Sequence, residues 1–334
     1  MASFKGGQLT GRLAWTSELT EAARRYTREK TPSNLAALEA AKLRAAREAV
    51  ALQSSYGFGY VTDGGAGVAD IFTPYAEGLR GVSSGGNIDK YPGTRNSYFH
   101  TPVVEGEVRP EAVAPRFLFT AENKGAGKKA ILPSPGALAV ASEDSYYGSR
   151  ERLMRAYAEV LRADVRALAA AGYAYVQLTE CFINDGRFAK ASAGLAPAFA
   201  ECVEEIFEGY AGRSCVYFHA GDAAPFLPLL ADSGVTDVGF DFNTPASRAS
   251  LPGVRGALLG LQNSTRKLPA EWLEKEPEAL AARAREYVSA LGLADGVEVY
   301  LAPSQDYDGL QTYPQARRRL DNLAKAVRML EGEA

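Results

Sequence analysis

The sequence predicts an α/β chain, and more narrowly a (β/α)8 TIM-type barrel formed by one domain over residues 1–334. Three observations lead there. Short runs of strand-favouring residues alternate with longer amphipathic stretches, the rhythm of βα units. Glycine or proline stands at most of the boundaries between them. Counting a strand at the extreme N-terminus, the strands number eight. An open doubly wound sheet is the competing architecture, but it needs fewer strands and a glycine-rich phosphate turn. No G-x-G-x-x-G follows a strand, and no G-x-x-x-x-G-K-[ST] occurs.

In chain order, helices are expected over residues 17–29 and 31–53, the second opened by Thr31-Pro32-Ser33-Asn34. A strand at 60–63 stops at Gly64-Gly65. Residues 70–129 break the rhythm with Gly, Pro, Ser and Tyr. Their β-like runs at 97–108 and 116–120 predict an inserted region with a hairpin, lying over the barrel mouth. Alternation resumes with strands at 130–132, 173–179, 214–218, 238–241, 257–261 and 297–301. Helices are expected between and after them at 150–171, 197–210, 224–232, 278–291 and 315–330.

Barrel strands converge at their carboxyl ends, where such folds place their chemistry. The residues ending these strands are Asp63, Glu180 with Cys181, His219 with Asp222, Asp241, Asn263 with Ser264, and Gln305 to Asp308. The centre of the set is Ser214-Cys215-Val216-Tyr217-Phe218-His219, a buried-type strand running into one of only two histidines. A His with several carboxylates suits a divalent metal such as manganese, iron or zinc. Asp222 and Asp241 also read as helix N-caps. Glu180, ending an otherwise apolar strand, is the candidate general acid or base. Cys215 lies roughly 13 Å from His219 at strand rise, too far to share a metal.

Bulk properties narrow the partners. A net charge of −3 without a basic patch gives no electrostatic reason for nucleic acid. No apolar run is long enough to span a membrane and no signal-peptide core opens the chain, so a cytoplasmic protein with a small-molecule substrate is expected. Three irregularly spaced cysteines make neither a disulfide framework nor a paired zinc motif.

The order of landmarks resembles the catalytic half of cobalamin-independent methionine synthase and its short single-domain relatives. Ala2-Ser3-Phe4-Lys5 resembles the family's Gly-Ser-Phe-Pro segment, which holds homocysteine. Gln53 through Asp63-Gly64-Gly65 resembles its Gln-x-x-Gly followed by Asp-Gly-Glu. Pro102-Val103-Val104-Glu105-Gly106 resembles a hairpin motif, and Leu132-Pro133-Ser134-Pro135 a Gly-Pro turn. Val176-Gln177-Leu178-Thr179-Glu180 is similar to Ile-Gln-x-Asp-Glu, and Asp308-Gly309-Leu310-Gln311-Thr312 to Cys-Gly-Leu-Lys-Thr. The resemblance implies methyl transfer from a folate-type donor to a thiol. It also implies substrate contacts from Ser3, Phe4, Asp63 and Gln177 and a catalytic role for Glu180, while the strand-end positions make Asn263 and Ser264 further candidate substrate contacts and Asp222 a further catalytic candidate. Family members hold zinc through His-x-Cys, a Glu and a further Cys. Here His219 is kept, Gly221 stands at the first Cys, Asp241 at or beside the Glu, and Asp308 at the second Cys. Carboxylates in place of thiolates imply a harder metal at His219, Asp241 and Asp308, or none. Two alternatives remain on the same barrel: a hard-metal lyase or oxygen-dependent enzyme, and a non-catalytic small-molecule binder.

Overall fold

A computed structural model describes residues 2–90, 92, 98–118, 125–192, 194–249, 251, 253–307 and 312–332. The chain opens with β1 (Ser3–Gly7), then α1 (Ser17–Arg28) and α2 (Pro32–Ser55). Both helices start where the sequence offers a hydroxyl cap: Thr16 accepts from the Leu19 N–H at 3.2 Å and Thr31 from the Asn34 N–H at 3.2 Å. Pro32 adds a preset φ at the first helical position. The two helices seal against each other through Leu19, Ala22, Leu38 and Ala41.

β2 (Tyr60–Val61) and α3 (Thr73–Gly78) follow. An antiparallel pair, β3 (Val82–Lys90) and β4 (Tyr98–Val104), comes next, and then β5 (Gly127–Pro133) and α4 (Pro135–Ala141). β6 (Glu143–Asp144) joins β4 to complete a small three-stranded sheet. The rest alternates: α5 (Arg150–Ala170), β7 (Tyr173–Glu180), α6 (Ala189–Ser192), α7 (Leu195–Phe207), β8 (Arg213–Phe218), β9 (Asp237–Asp241), β10 (Gly256–Gln262), α8 (Ala270–Leu291), β11 (Glu298–Pro303) and α9 (Tyr313–Glu331). Among the described residues, no helix is long and apolar enough to cross a membrane.

Eight strands form one parallel sheet in the order β1-β11-β10-β9-β8-β7-β5-β2, curled into a TIM-like half-barrel. Every residue of β8 and β10 is buried, as expected of strands covered on both faces. Alternation sorts their side chains. Val176, Leu178, Val216 and Phe218 join the main core under the helices, whereas Tyr175, Cys215, Tyr217, Leu258 and Tyr300 form a separate cluster inside the curl. That interior is tight. A Cβ on Gly260 would stand 2.0 Å from the Tyr217 hydroxyl, which donates to the Ser304 carbonyl at 2.7 Å.

No ladder joins β1 to β2 among the described residues, and the seam between them is closed by other means. The Leu13 N–H donates to the Gly64 carbonyl at 3.0 Å. Lys129 Nζ reaches across from β5 to Gln8 Oε1 at 2.9 Å and the Leu9 carbonyl at 2.8 Å. The Tyr60 ring lies 4.9 Å from that of Tyr175 and 6.3 Å from that of Tyr300.

Two expectations fail locally. The expected helix at 224–232 is a 3-10 turn, Leu227–Leu230, because Pro228 has no N–H to continue an α-helix. The expected strand at 116–120 begins in a 3-10 turn, Ala114–Arg116; residues 119 and 120 lie outside the described residues. This stretch is pinned instead by Asp164, a buried acid in the apolar stripe of α5. Its carboxylate accepts from the Val113 and Ala114 N–H groups at 2.5 and 2.8 Å and from the Tyr75 hydroxyl at 2.8 Å. Burial raises this carboxyl to about 6 against the pull of those donors. Asp164→Ala orphans all three donors and should cost roughly 2–4 kcal/mol. Asp164→Asn can still accept from the amides and donate to Tyr75, and should stay within about 1 kcal/mol of wild type in urea titration.

Candidate functional site at the carboxyl ends of the strands

β8 delivers His219 to the barrel mouth. Arg213, Cys215 and Tyr217 share its inward phase, and at 2% exposure the imidazole is enclosed. Asp241 arrives from β9 in the same phase as Asp237 and Gly239. The two meet, with His219 Nδ1 lying 3.1 Å from Asp241 Oδ2 and 3.2 Å from the Ser304 carbonyl. Nε2 faces the Pro92 carbonyl at 3.1 Å. Ala220 has φ of +69°, a left-handed conformation uncommon outside glycine. That turn aims its N–H at Asp241 Oδ2, 3.1 Å away. Asn243 completes the set, giving its backbone and side-chain N–H groups to Asp241 Oδ1 at 2.9 and 2.8 Å.

Glu180 does not join them. It has the phase of Val176 and Leu178, so its carboxylate points outward between the sheet and α4. Oε1 accepts from the Cys181, Phe182 and Ile183 N–H groups at 2.9, 2.7 and 3.0 Å. Oε2 accepts from the Ser134 hydroxyl at 2.5 Å. Burial pushes this carboxyl above its ordinary range, opposed by Ser134 and the three amides. Four donors, from its own loop and from the cap of α4, converge on this carboxylate. The general acid or base expected here is a loop anchor.

The remaining candidates divide. Gln177 faces the interior, where its side chain donates to the Thr10 carbonyl at 2.9 Å. Ser3 and Phe4 pair with Glu298 and Val299, so they lie at the amino end of β1, on the face away from His219. β1 ends at Gly7, and Gln8, Thr10 and Arg12 follow it instead. Arg12 is tied to Asp306 through N–H and Nε at 2.6 and 3.0 Å. Asp63 closes the Gly64-Gly65 turn by accepting from the Gly65 N–H at 2.9 Å. Asp222 accepts from the Ala224 N–H at 3.0 Å, the turn-capping role its position also allowed. Asn263 accepts from the Thr265 N–H at 3.1 Å, and the Ser264 hydroxyl is bound to the Gln305 backbone. Asp308 lies outside the described residues.

The expected metal set is therefore brought together only in part, as His219 with Asp241. Among the described residues, no group of three or more His, Cys, Asp and Glu side chains could hold a metal ion. Position 221, which the resemblance aligns with a thiolate, has no room for a side chain, because a Cβ on Gly221 would stand 2.0 Å from the Asn184 carbonyl oxygen. The described residues do not fit a zinc site of the His-x-Cys type.

A cleft of about 1040 Å³ opens between α1, α2 and the start of α9. Arg12, Trp15, Arg24, Arg44, Glu48 and Tyr313 line it, and neither His219 nor Asp241 does. Its volume is that of a small-molecule site. Its charges are of both signs, and Arg44 is already engaged with Glu18 at 2.5 Å.

Comparison with solved structures places the fold. A B12-independent methionine synthase from a Shewanella species, in complex with selenomethionine, aligns with a TM-score of 0.68 at 19% identity over 89% of each chain. A Listeria monocytogenes protein assigned as a vitamin-B12-independent methionine synthase aligns at 0.73 and 17% identity, over 100% of this chain and 99% of the other. A methyltransferase from Methanosarcina mazei aligns at 0.53 and 13% identity, over 95% and 93%. No family model and no curated protein sequence matches the chain. At these identities the likeness establishes a shared fold over the whole chain.

Proposed function

We propose that this chain is a methyl- or alkyl-transferase of the methionine-synthase type, acting on a thiol or a related small-molecule acceptor, with a folate-type molecule as donor. The observation behind this reading is the His219–Asp241 pair at the mouth of a fold shared end to end with methionine-synthase-like structures. In this reading Asp241 orients the imidazole from the Nδ1 side, and the acceptor displaces the Pro92 carbonyl that Nε2 faces and gives its proton to that nitrogen. The acceptor sulfur then forms its bond to the alkyl carbon as the donor–carbon bond breaks, and the donor atom keeps the bond's electron pair and takes up the proton held by His219. Burial of the pair excludes water from that exchange. The cleft bounded by Trp15 and Tyr313 gives a donor with a flat ring system room to approach.

The test is ligand binding followed by turnover. Homocysteine or methyltetrahydrofolate at a hundred times its Kd should stabilise the native state by about 2.7 kcal/mol, visible as a rise in Tm. Methyl transfer between them should then appear by mass spectrometry and fall at least a hundredfold in His219→Gln. No Tm shift with either compound, and no transfer, would remove this reading and favour a different chemistry on the same barrel.

A further inference from the structure

We infer that the metal centre of this fold family is replaced here by a closed hydrogen-bonded assembly around His219, and that this face of the barrel is built without a metal. The inference rests on where the lone pairs and the backbone go, and it stands apart from the reaction proposed above.

A metal needs donor atoms whose lone pairs converge on one point. At Asp241 those lone pairs are taken. Oδ1 holds the Asn243 N–H and side-chain amide, while Oδ2 holds the Ala220 N–H, the same Asn243 amide at 2.8 Å, and His219 Nδ1. At His219, Nδ1 sits between two oxygens and Nε2 faces a third. Among the described residues, no third His, Cys, Asp or Glu completes a metal set around them.

The backbone enforces the same arrangement. The Asn184 carbonyl accepts from the Asp222 N–H at 3.1 Å, and its side-chain amide donates to the His219 carbonyl at 3.2 Å. The loop after β7 is thereby stitched onto the loop after β8, in the volume a side chain at 221 would need. Gly221 is the residue that permits the stitch. A Cβ there would come within 2.0 Å of the Asn184 carbonyl oxygen and 2.9 Å of its side-chain nitrogen. Loss of the thiolate and closure of the loop are thus one structural change.

The test needs no substrate. Protein purified without tag or chelator should contain well under a tenth of an equivalent of zinc, iron or manganese by elemental analysis. Its Tm should move by less than about 1 °C with excess EDTA or with added zinc. Asp241→Asn and His219→Gln should each lower Tm by several degrees, by the same amount with and without zinc. In Gly221→Cys, cobalt(II) should give no thiolate charge-transfer band. Near one equivalent of any of these metals, lost in His219→Gln, would overturn the inference; so would a zinc-dependent rise in wild-type Tm, or a cobalt–thiolate band in Gly221→Cys. Should the variants fail to fold, the metal content and EDTA response of the wild type decide the matter.

Discussion

Glu180→Ala should lower the stability of the protein by roughly 3–5 kcal/mol, a large share of what a folded domain has in reserve. The residue is completely buried, and its removal leaves the amides of Cys181, Phe182 and Ile183 and the Ser134 hydroxyl without their acceptor. Ser134 also caps α4 by accepting from the Ala137 N–H at 2.9 Å, so the loss spreads to a second element. Glu180→Gln keeps one carbonyl oxygen for the amides and should be far milder. The pH dependence separates the two variants from wild type. Because the carboxyl is raised above its ordinary range in the folded state, the native protein binds more protons than the unfolded chain in that window. Its contribution to stability is fully present below the unfolded pKa and declines as pH rises through the folded one. Urea titrations across the acid range should show that decline in wild type and a flatter profile in Glu180→Gln. An Ala variant as stable as wild type would contradict the anchoring role.

Lys129→Met should remove a pH dependence on the alkaline side. Burial drives this amine down from 10.5 to about 7, against the pull of Cys215 and Asp237. A neutral amine still has two hydrogens for its two acceptors, Gln8 Oε1 and the Leu9 carbonyl. Between about 7 and 10.5 the unfolded chain holds the proton that the native protein has released. Stability therefore rises with pH through that window, by roughly 5 kcal/mol at full extent. Cys202 and Cys215, held near 12 in the native state, lose protons near 9 in the unfolded chain and oppose the gain above that pH, so the difference between wild type and Lys129→Met isolates the lysine. Urea unfolding at pH 7 and pH 9.5 should show the gain in wild type and little of it in Lys129→Met. Equal slopes in the two proteins would assign the effect elsewhere.

Much of the architecture was legible because it rests on local rules. Hydroxyl caps at Thr16 and Thr31 and the apolar runs of β7, β8 and β10 mark their elements directly. At the site, the strand end at His219 and its link to Asp241 follow from parity, since both share the inward phase of their strands. The same parity, applied to Glu180, places it with Val176 and Leu178 and away from the mouth. Counting residues along the strand would have shown this. The reading of Ser3 and Phe4 went astray because a motif likeness outweighed strand length; β1 ends at Gly7, and the turn residues lie beyond it. Two further signals were available. Lys129 stands at the head of an apolar strand, and Asp164 stands three and four residues from Leu161 and Leu168 on a buried helical stripe. Asn184 and Asn243 were beyond reach, because their roles depend on how separate loops meet.

The seam between β1 and β2 bears on how the chain is made. Among the described residues β1 has one ladder partner, β11, whose first paired residue, Glu298, is joined to Ser3 across almost the whole length of the chain. A ribosome adding 5–20 residues per second needs about 15–60 s to cover that interval. Through that time the first strand has been synthesised and has nothing to zip onto. The intervening strands can assemble in sequence, each against its neighbour, while β1 waits, with the residues that follow it held to the formed side of the sheet by Lys129 and Gln177. Pairing of β1 with β11 therefore waits until Glu298 and its neighbours have been made, and the nascent chain carries an unpaired edge until then.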